Sequence, residues 1–304
     1  MRDVSSVERH TMKTKFEQIV DVQAIGKAEN HVSSAELFAL AAAENLPPAD
    51  QDAEKTLLLA VDIQLDFMDD GALGVKGAKK DVERLTRFMY DNIEKISAVA
   101  ATCDCHSPMQ IFHACWWQDE NGNEPAPFTV ITKKDLNAGR WTPRTMPEKS
   151  AEYLEALEKQ GKKRLCIWPY HCLEASVGGA IEPQFSNMAN FFSAVRRADF
   201  RKFGKGRIPY SEFYGALRPE YCEPGTDNTE LLEYVSRFNK IIVAGEAMDY
   251  CVYETISQLC EELQRIGRSP QIFVLTGCTS SIGPREEAEK QYAELTKRYG
   301  ITML

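Results

Sequence analysis

Six widely separated residues carry the side-chain types from which hydrolytic chemistry is built: Asp62, Asp104, His106, His171, Lys205 and Cys251. Asp104 and His106, two apart, can face one ion from an extended segment, and His171 completes a facial set. Two imidazoles and one carboxylate leave coordination positions open, as catalytic metal sites do, and they accept zinc, iron or manganese. Read alone, the Asp-x-His pair is equally well a pair of satisfied polar residues at a loop end. A zinc site built on Cys103, Cys105 and Cys172 is disfavoured, because no C-x2-C pair occurs in the chain.

Cys251 is the candidate nucleophile. It lies where an apolar strand pattern gives way to a helix pattern. A helix N-terminus and a nearby lysine both favour a thiolate, and backbone N–H groups at such a turn can hold an oxyanion. A small buried cysteine is also a common structural residue, so position alone does not assign the role. Asp62 and Lys205 are read as flanking this thiol: a carboxylate in a dry cleft can take the thiol proton and return it to a leaving amine. Lys202 competes with Lys205 for the lysine role. Cys260 and Cys278 read as structural.

These residues need a scaffold that gathers them. Apolar runs at 57–61, 98–102, 164–168, 240–244 and 271–275, with a charge-interrupted run at 194–202, read as six strands. Helical periodicity follows the first (Val82, Leu85, Met89, Ile93) and the fifth in chain order (Val252, Ile256, Leu259, Leu263), and a last helix covers 286–298. Alternation of this kind predicts an α/β fold: a six-stranded parallel sheet with helices on both faces. Ligands of such sheets sit at the carboxyl ends of the strands, which is where the six residues fall. Residues 1–54 read as a helical extension, with short helices near 16–22 and 35–46, packed on the main domain or on a second subunit, or else mobile. Residues 55–304 form the main domain. Within it, 112–147 is a long loop carrying Trp116, Trp117, Phe128 and Trp141, of a kind that is usually functional or a lid.

Composition narrows the class. The 304 residues are 43% apolar and 27% charged, with 36 basic against 45 acidic residues. That is a globular composition with no basic excess for nucleic acid, and no apolar run approaches a bilayer span. The opening residues lack a signal-peptide core, and nine irregularly spaced cysteines fit a reducing compartment, so a cytoplasmic location is expected.

Taken together, VDIQLDF followed by GALGVKGA, Asp104-x-His106, WPYHC, KGRIPYSEF and GEAMDYCV resemble the isochorismatase-like cysteine hydrolases, and within them the nicotinamidases. The resemblance covers residues 55–304. It implies a three-layer sandwich and hydrolysis of a small aromatic carboxamide, nicotinamide first, through a thioester. Asp62 looks like the family's acid/base, Lys205 (followed by glycine) its lysine, and Cys251 its nucleophile. Asp104, His106 and His171 look like its ligands for a divalent metal, zinc first, and His113 is an open question as a fourth. Ala247, after a cis bond to Glu246, would join Cys251 in an oxyanion hole. Phe67 and Trp168 would flank the substrate ring. Glu212 stands where larger members carry a glutamate and reads as solvated or loop-bracing. A homo-oligomer binding a small molecule, with no nucleic-acid or membrane partner, is implied. The alternatives are a cysteine hydrolase of another small amide or carbamate, or a non-catalytic member that binds a metabolite or a protein. Among departures from the pattern, Glu246 puts an acid beside the expected cis bond.

Overall fold

The computed structural model describes residues 12–161 and 163–304. Six parallel strands form its central sheet: β1 Thr56–Val61, β2 Ala98–Asp104, β3 Phe200–Lys205, β4 Lys240–Gly245, β5 Gln271–Val274 and β6 Thr302–Met303. Their order across the sheet is β6-β5-β4-β1-β2-β3. The chain order departs from both sides of β1, so the crevice for a ligand opens at the carboxyl ends of β1, β2 and β4. All six residues of β1 are buried, which is why its sequence, TLLLAV, is apolar without alternation. Its pleat still divides the core. Leu57, Leu59 and Val61 join one apolar cluster, and Leu58 and Ala60 join the other.

Among the described residues eight α-helices surround the sheet. In chain order they are α1 Ser34–Ala42, α2 Ala78–Asp91, α3 Lys133–Asn137, α4 Pro147–Gln160, α5 Pro183–Arg196, α6 Thr229–Val235, α7 Tyr253–Arg265 and α8 Arg285–Tyr299. Residues of α2 and α5 cover one face, and residues of α4, α6, α7 and α8 the other, which gives the expected three layers. None of these helices is long and apolar enough to cross a membrane. The nine cysteines are all free thiols.

The six-stranded count holds, but its membership differs from the sequence reading. The run at 164–168 contributes only Leu165–Cys166, which pairs antiparallel with Val130–Ile131 outside the main sheet. Its apolar residues Leu165, Ile167 and Trp168 do enter the core, but their backbone bonds go to the 112–147 segment: Ile167 N–H to the Thr129 carbonyl and Trp168 N–H to the Phe112 carbonyl. The missing place is taken by β6, two residues on the edge of β5 and too short for a periodic signal. Residues 194–196 belong to α5, which ends at Arg197 in a left-handed cap, and the strand begins only at Phe200.

Two further expectations are corrected. The first short helix of the extension is a pair of 3-10 turns, Phe16–Gln18 and Val22–Ala24, and the second is α1, capped by Ser33, which accepts from Glu36 N–H. Residues 1–11 of the expected extension lie outside the described residues. Phe16, Ile19, Ile25, Leu37 and Leu46 are buried with α2 and α5, and each such side chain contributes roughly 1.5–3 kcal/mol over exposure. The 112–147 segment is not one long loop: it holds the short strands Trp117–Gln118, Val130–Ile131 and Thr142–Pro143, and α3. Trp116 and Trp117 are fully buried, and their indole N–H groups bond Ser150 Oγ and the Ile111 carbonyl.

Candidate active site

Three strand ends and two turns bring the expected residues together. Asp62 directly follows β1, Asp104 ends β2 and Lys205 ends β3, so parallel pairing carries all three to one edge. Cys251 sits in the single π-turn Met248–Val252 that joins β4 to α7. The Lys205 ammonium is the hub. It lies 3.0 Å from Asp62 Oδ2, 2.5 Å from Asp104 Oδ1 and 3.6 Å from Cys251 Sγ, and it donates to the Phe213 carbonyl at 3.0 Å. Lys202, the competitor, is exposed on β3. A charged lysine this deeply buried (3% exposed) is tolerable only because two carboxylates neutralise it.

Asp62 is wholly buried, with φ +50°. Its Oδ1 accepts from Thr102 Oγ1 at 2.6 Å, and its Oδ2 faces the Lys205 ammonium at 3.0 Å. Burial pushes its pKa up and neighbouring Asp104 adds to that, against the pull of Lys205. Burial likewise pushes the Cys251 thiol well up; Lys205 opposes this, while Asp62 and Asp104 reinforce it and the thiol is bonded to Asp62. Burial alone would lower the Lys205 pKa, yet Asp104 and Asp62 together hold it well above the usual lysine range. The arrangement sets a protonated thiol beside the Asp62 carboxyl, with a fixed ammonium that can stabilise the sulfur once its proton leaves.

Beside this trio, one ligand atom from each of Asp104, His106 and His171 lies within 4.8 Å of the others. The Nδ1 atoms of His106 and His171 point to the carbonyls of Gly206 (3.2 Å) and Pro169 (2.8 Å), which leaves each Nε2 as the free donor. His106 Nε2 is buried without a hydrogen-bond partner among the described residues, 3.6 Å from Asp104 Oδ2. Burial drives the His171 pKa down to about 3, so this imidazole is neutral and able to ligate. These residues therefore fit a divalent cation. Gly206 makes the approach possible: at φ +80°, a Cβ there would fall 2.6 Å from the His106 ring. His113 is fully buried, its ring 6.1 Å from both His106 and His171, with Nε2 unpartnered among the described residues.

A cleft opens between Cys251 and Asp104 on one side and an aromatic wall of Phe67, Trp168, Tyr214 and Tyr250 on the other. Phe67 meets the His171 ring edge-on at 5.7 Å, and Trp168 meets Tyr250 at 5.8 Å. Ala247 also lines the cleft, and the Glu246–Ala247 bond is cis. Glu212 is not solvated: it is buried, takes the Trp168 indole N–H at 3.0 Å and receives the Phe213 N–H at 3.1 Å, so it braces the wall.

Sequence reasoning missed several contributors. Thr102 orients Asp62, and Gln64 clamps Asp104 through both its N–H (2.7 Å) and its carbonyl (2.9 Å). The signal for both was a polar residue in an otherwise apolar strand end. Tyr214 carried none, because its segment is irregular, whereas Tyr250 lies in the π-turn beside Cys251.

No protein-family model and no curated protein sequence match the chain. Solved structures do. A nicotinamidase/pyrazinamidase of Acinetobacter baumanii is 18% identical with a TM-score of 0.57, over 84% of this chain and 97% of that one. The nicotinamidase of yeast, also solved with the inhibitor nicotinaldehyde, is 20% identical with a TM-score of 0.57, over 82% and 99%. A protein of L. infantum solved in complex with nicotinate is 17% identical with a TM-score of 0.51, over 86% and 95%. The chain has the fold these structures share.

Proposed function

We propose that a chain with the nicotinamidase fold and this cleft is a cysteine amidohydrolase that converts a small aromatic carboxamide, nicotinamide first, to the carboxylate and ammonia. The observation that carries this reading is the Lys205 ammonium, 3.0 Å from Asp62 Oδ2 and 3.6 Å from the Sγ of Cys251, which lines an aromatic cleft. The yeast and L. infantum structures, solved with nicotinaldehyde and nicotinate, support the choice of ring.

Asp62 takes the thiol proton from Cys251, and Lys205 stabilises the sulfur anion as it forms. The sulfur attacks the carboxamide carbon. The oxyanion is received by the N–H groups of Ala247 and Cys251. The C–N bond breaks as Asp62 returns its proton to nitrogen, and ammonia leaves a thioester. Water, deprotonated by Asp62, then cleaves the thioester; the acid is released and the thiol regains its proton. Phe67 and Trp168 sandwich the ring, and Glu212 fixes Trp168. Asp104, His106 and His171 would hold a divalent metal, zinc first with iron or manganese also suited, which supplies an electrophile for a ring nitrogen.

Ammonia release from nicotinamide and from an aliphatic amide of similar size, with and without chelator, tests this reading. Preferential release from nicotinamide, lost on chelation, is expected. Turnover of the aliphatic amide alone would overturn the substrate, and undiminished turnover in metal-free protein would overturn the metal.

A further inference from the structure

One buried acid stands outside this machinery. Glu246, at the end of β4, is completely buried. Its Oε2 accepts a hydrogen bond from Ser280 N–H at 3.2 Å, and its Oε1 has no donor among the described residues. The Glu246 carboxyl instead faces the carboxyl of Asp81, which bonds the same Ser280, close enough for a proton to be shared between them. Ser280 ties the arrangement together. Its Oγ donates to Asp81 Oδ2 at 2.5 Å, and its carbonyl accepts Met248 N–H at 2.8 Å. Ser280 thus holds the residues on both sides of Ala247, while Glu246 N–H is fastened to the Val61 carbonyl at 2.9 Å. Gly77, at the start of α2, leaves the room for this: at φ +105°, a Cβ there would lie 2.7 Å from Ser280 Oγ.

Two carboxyls in contact cannot both ionise. Asp81 is the better site for the charge. It lies in the first turn of α2, where the helix dipole favours an anion, it accepts from Ser280 Oγ, and Arg84 approaches to 3.6 Å. Glu246 has only one N–H at 3.2 Å, and burial followed by the Asp81 charge drives its pKa well up. The other charges facing the pair are Asp69, which caps α2 through the N–H groups of Gly77 and Lys79, and Arg285 from α8.

We propose that Glu246 stays protonated at neutral pH, donates its proton in the hydrogen bond to Asp81 and, through Ser280, is the positioning residue that sets the Ala247 N–H. The second half rests on the proposed amidohydrolase reading. Loss of the proton puts two adjacent negative charges under β4 and pushes apart the elements that Ser280 joins. Catalysis weakens while ring binding, made by Phe67 and Trp168, is retained.

Kinetics and thermal unfolding of wild type, Glu246→Gln and Glu246→Ala between pH 5 and 9 test this. The glutamine amide can donate to Asp81 and accept from Ser280 but cannot ionise. It should keep kcat at pH 7 within about threefold of wild type and shift or abolish the alkaline decline in kcat. Glu246→Ala should lower kcat by about 10- to 100-fold with KM little changed, less than the ~10²–10³ for outright loss of an oxyanion donor. Because the folded pKa is raised, the wild-type Tm should fall relative to Glu246→Gln as pH rises above the unfolded glutamate value. Parallel Tm curves would overturn the protonated Glu246. A glutamine variant as impaired as alanine would overturn the positioning role. Wild type inactive on every carboxamide would overturn the functional reading, and the Tm curves would still decide the proton.

Discussion

The two ends of β1 and β2 each carry a buried ion cluster, and the clusters differ in what is left over. At the amino ends, Arg196 Nη2 lies 2.6 Å from Asp52 Oδ1, Ser97 Oγ donates to Asp52 Oδ2 at 2.6 Å, and Thr56 N–H donates to Ser97 Oγ at 3.1 Å. One cation meets one anion, each Asp52 oxygen has a donor, Arg196 Nε is left without a hydrogen-bond partner among the described residues, and none of these four residues lines the aromatic cleft. At the carboxyl ends, one ammonium meets two carboxylates and a thiol, His106 Nε2 has no hydrogen bond among the described residues, and a cleft opens above. A charge-balanced pair away from the cleft joins elements together. A cluster with an excess carboxylate that opens on the cleft has capacity for a proton, a metal or a substrate.

The largest effect expected is at the carboxyl end. Cys251→Ala should cost on the order of 10⁴-fold or more in ammonia release, and calorimetry should still detect nicotinamide binding. The sharpest contrast is between Lys205→Ala and Arg196→Ala. Each removes a buried cation and should destabilise the fold by roughly 3–5 kcal/mol, Arg196→Ala at the lower end because Asp52 is partly exposed. Only the lysine variant should lose kcat in its folded fraction. Equal losses of kcat would break the comparison. Next, His171→Ala should lower bound metal by elemental analysis and activity by at least about 10- to 100-fold.

The smallest effect concerns pH and stability away from the site. Glu182 caps α5 through Phe185 N–H (2.7 Å) and ties the N-terminal segment by Gly26 N–H (3.1 Å). Burial raises its pKa to about 7. Between about pH 4.5 and 7 the folded state therefore binds the extra proton, and this group's contribution to stability falls as pH rises. Glu182→Gln should flatten that slope, by a few degrees of Tm at ~2–4 °C per kcal/mol. An unchanged slope would show that Glu182 titrates normally.

The interior strands β1, β2, β4 and β5 were legible because burial on both faces demands unbroken apolar runs. The edges were not. FRKFGK of β3 has one flank and part of its surface open to solvent, so charges interrupt it. The 164–168 run is apolar for a different reason: its side chains fill the core although its backbone pairs elsewhere. In the site, the residues fixed by strand ends could be read as a constellation, since parallel pairing brings strand ends to one edge. The places of Glu212 and Tyr214 depend on the path of an irregular segment, which local pattern does not specify.

The central claim is that Cys251 Sγ forms a covalent bond to the carboxamide carbon under the control of Asp62 and Lys205. Acid quench during steady-state turnover of nicotinamide, followed by peptide mass spectrometry, reads it directly. The account predicts a nicotinoyl adduct on the Cys251 peptide, absent in Cys251→Ala and diminished in Asp62→Asn. Turnover by Cys251→Ala, or an adduct on another cysteine in its place, would contradict it.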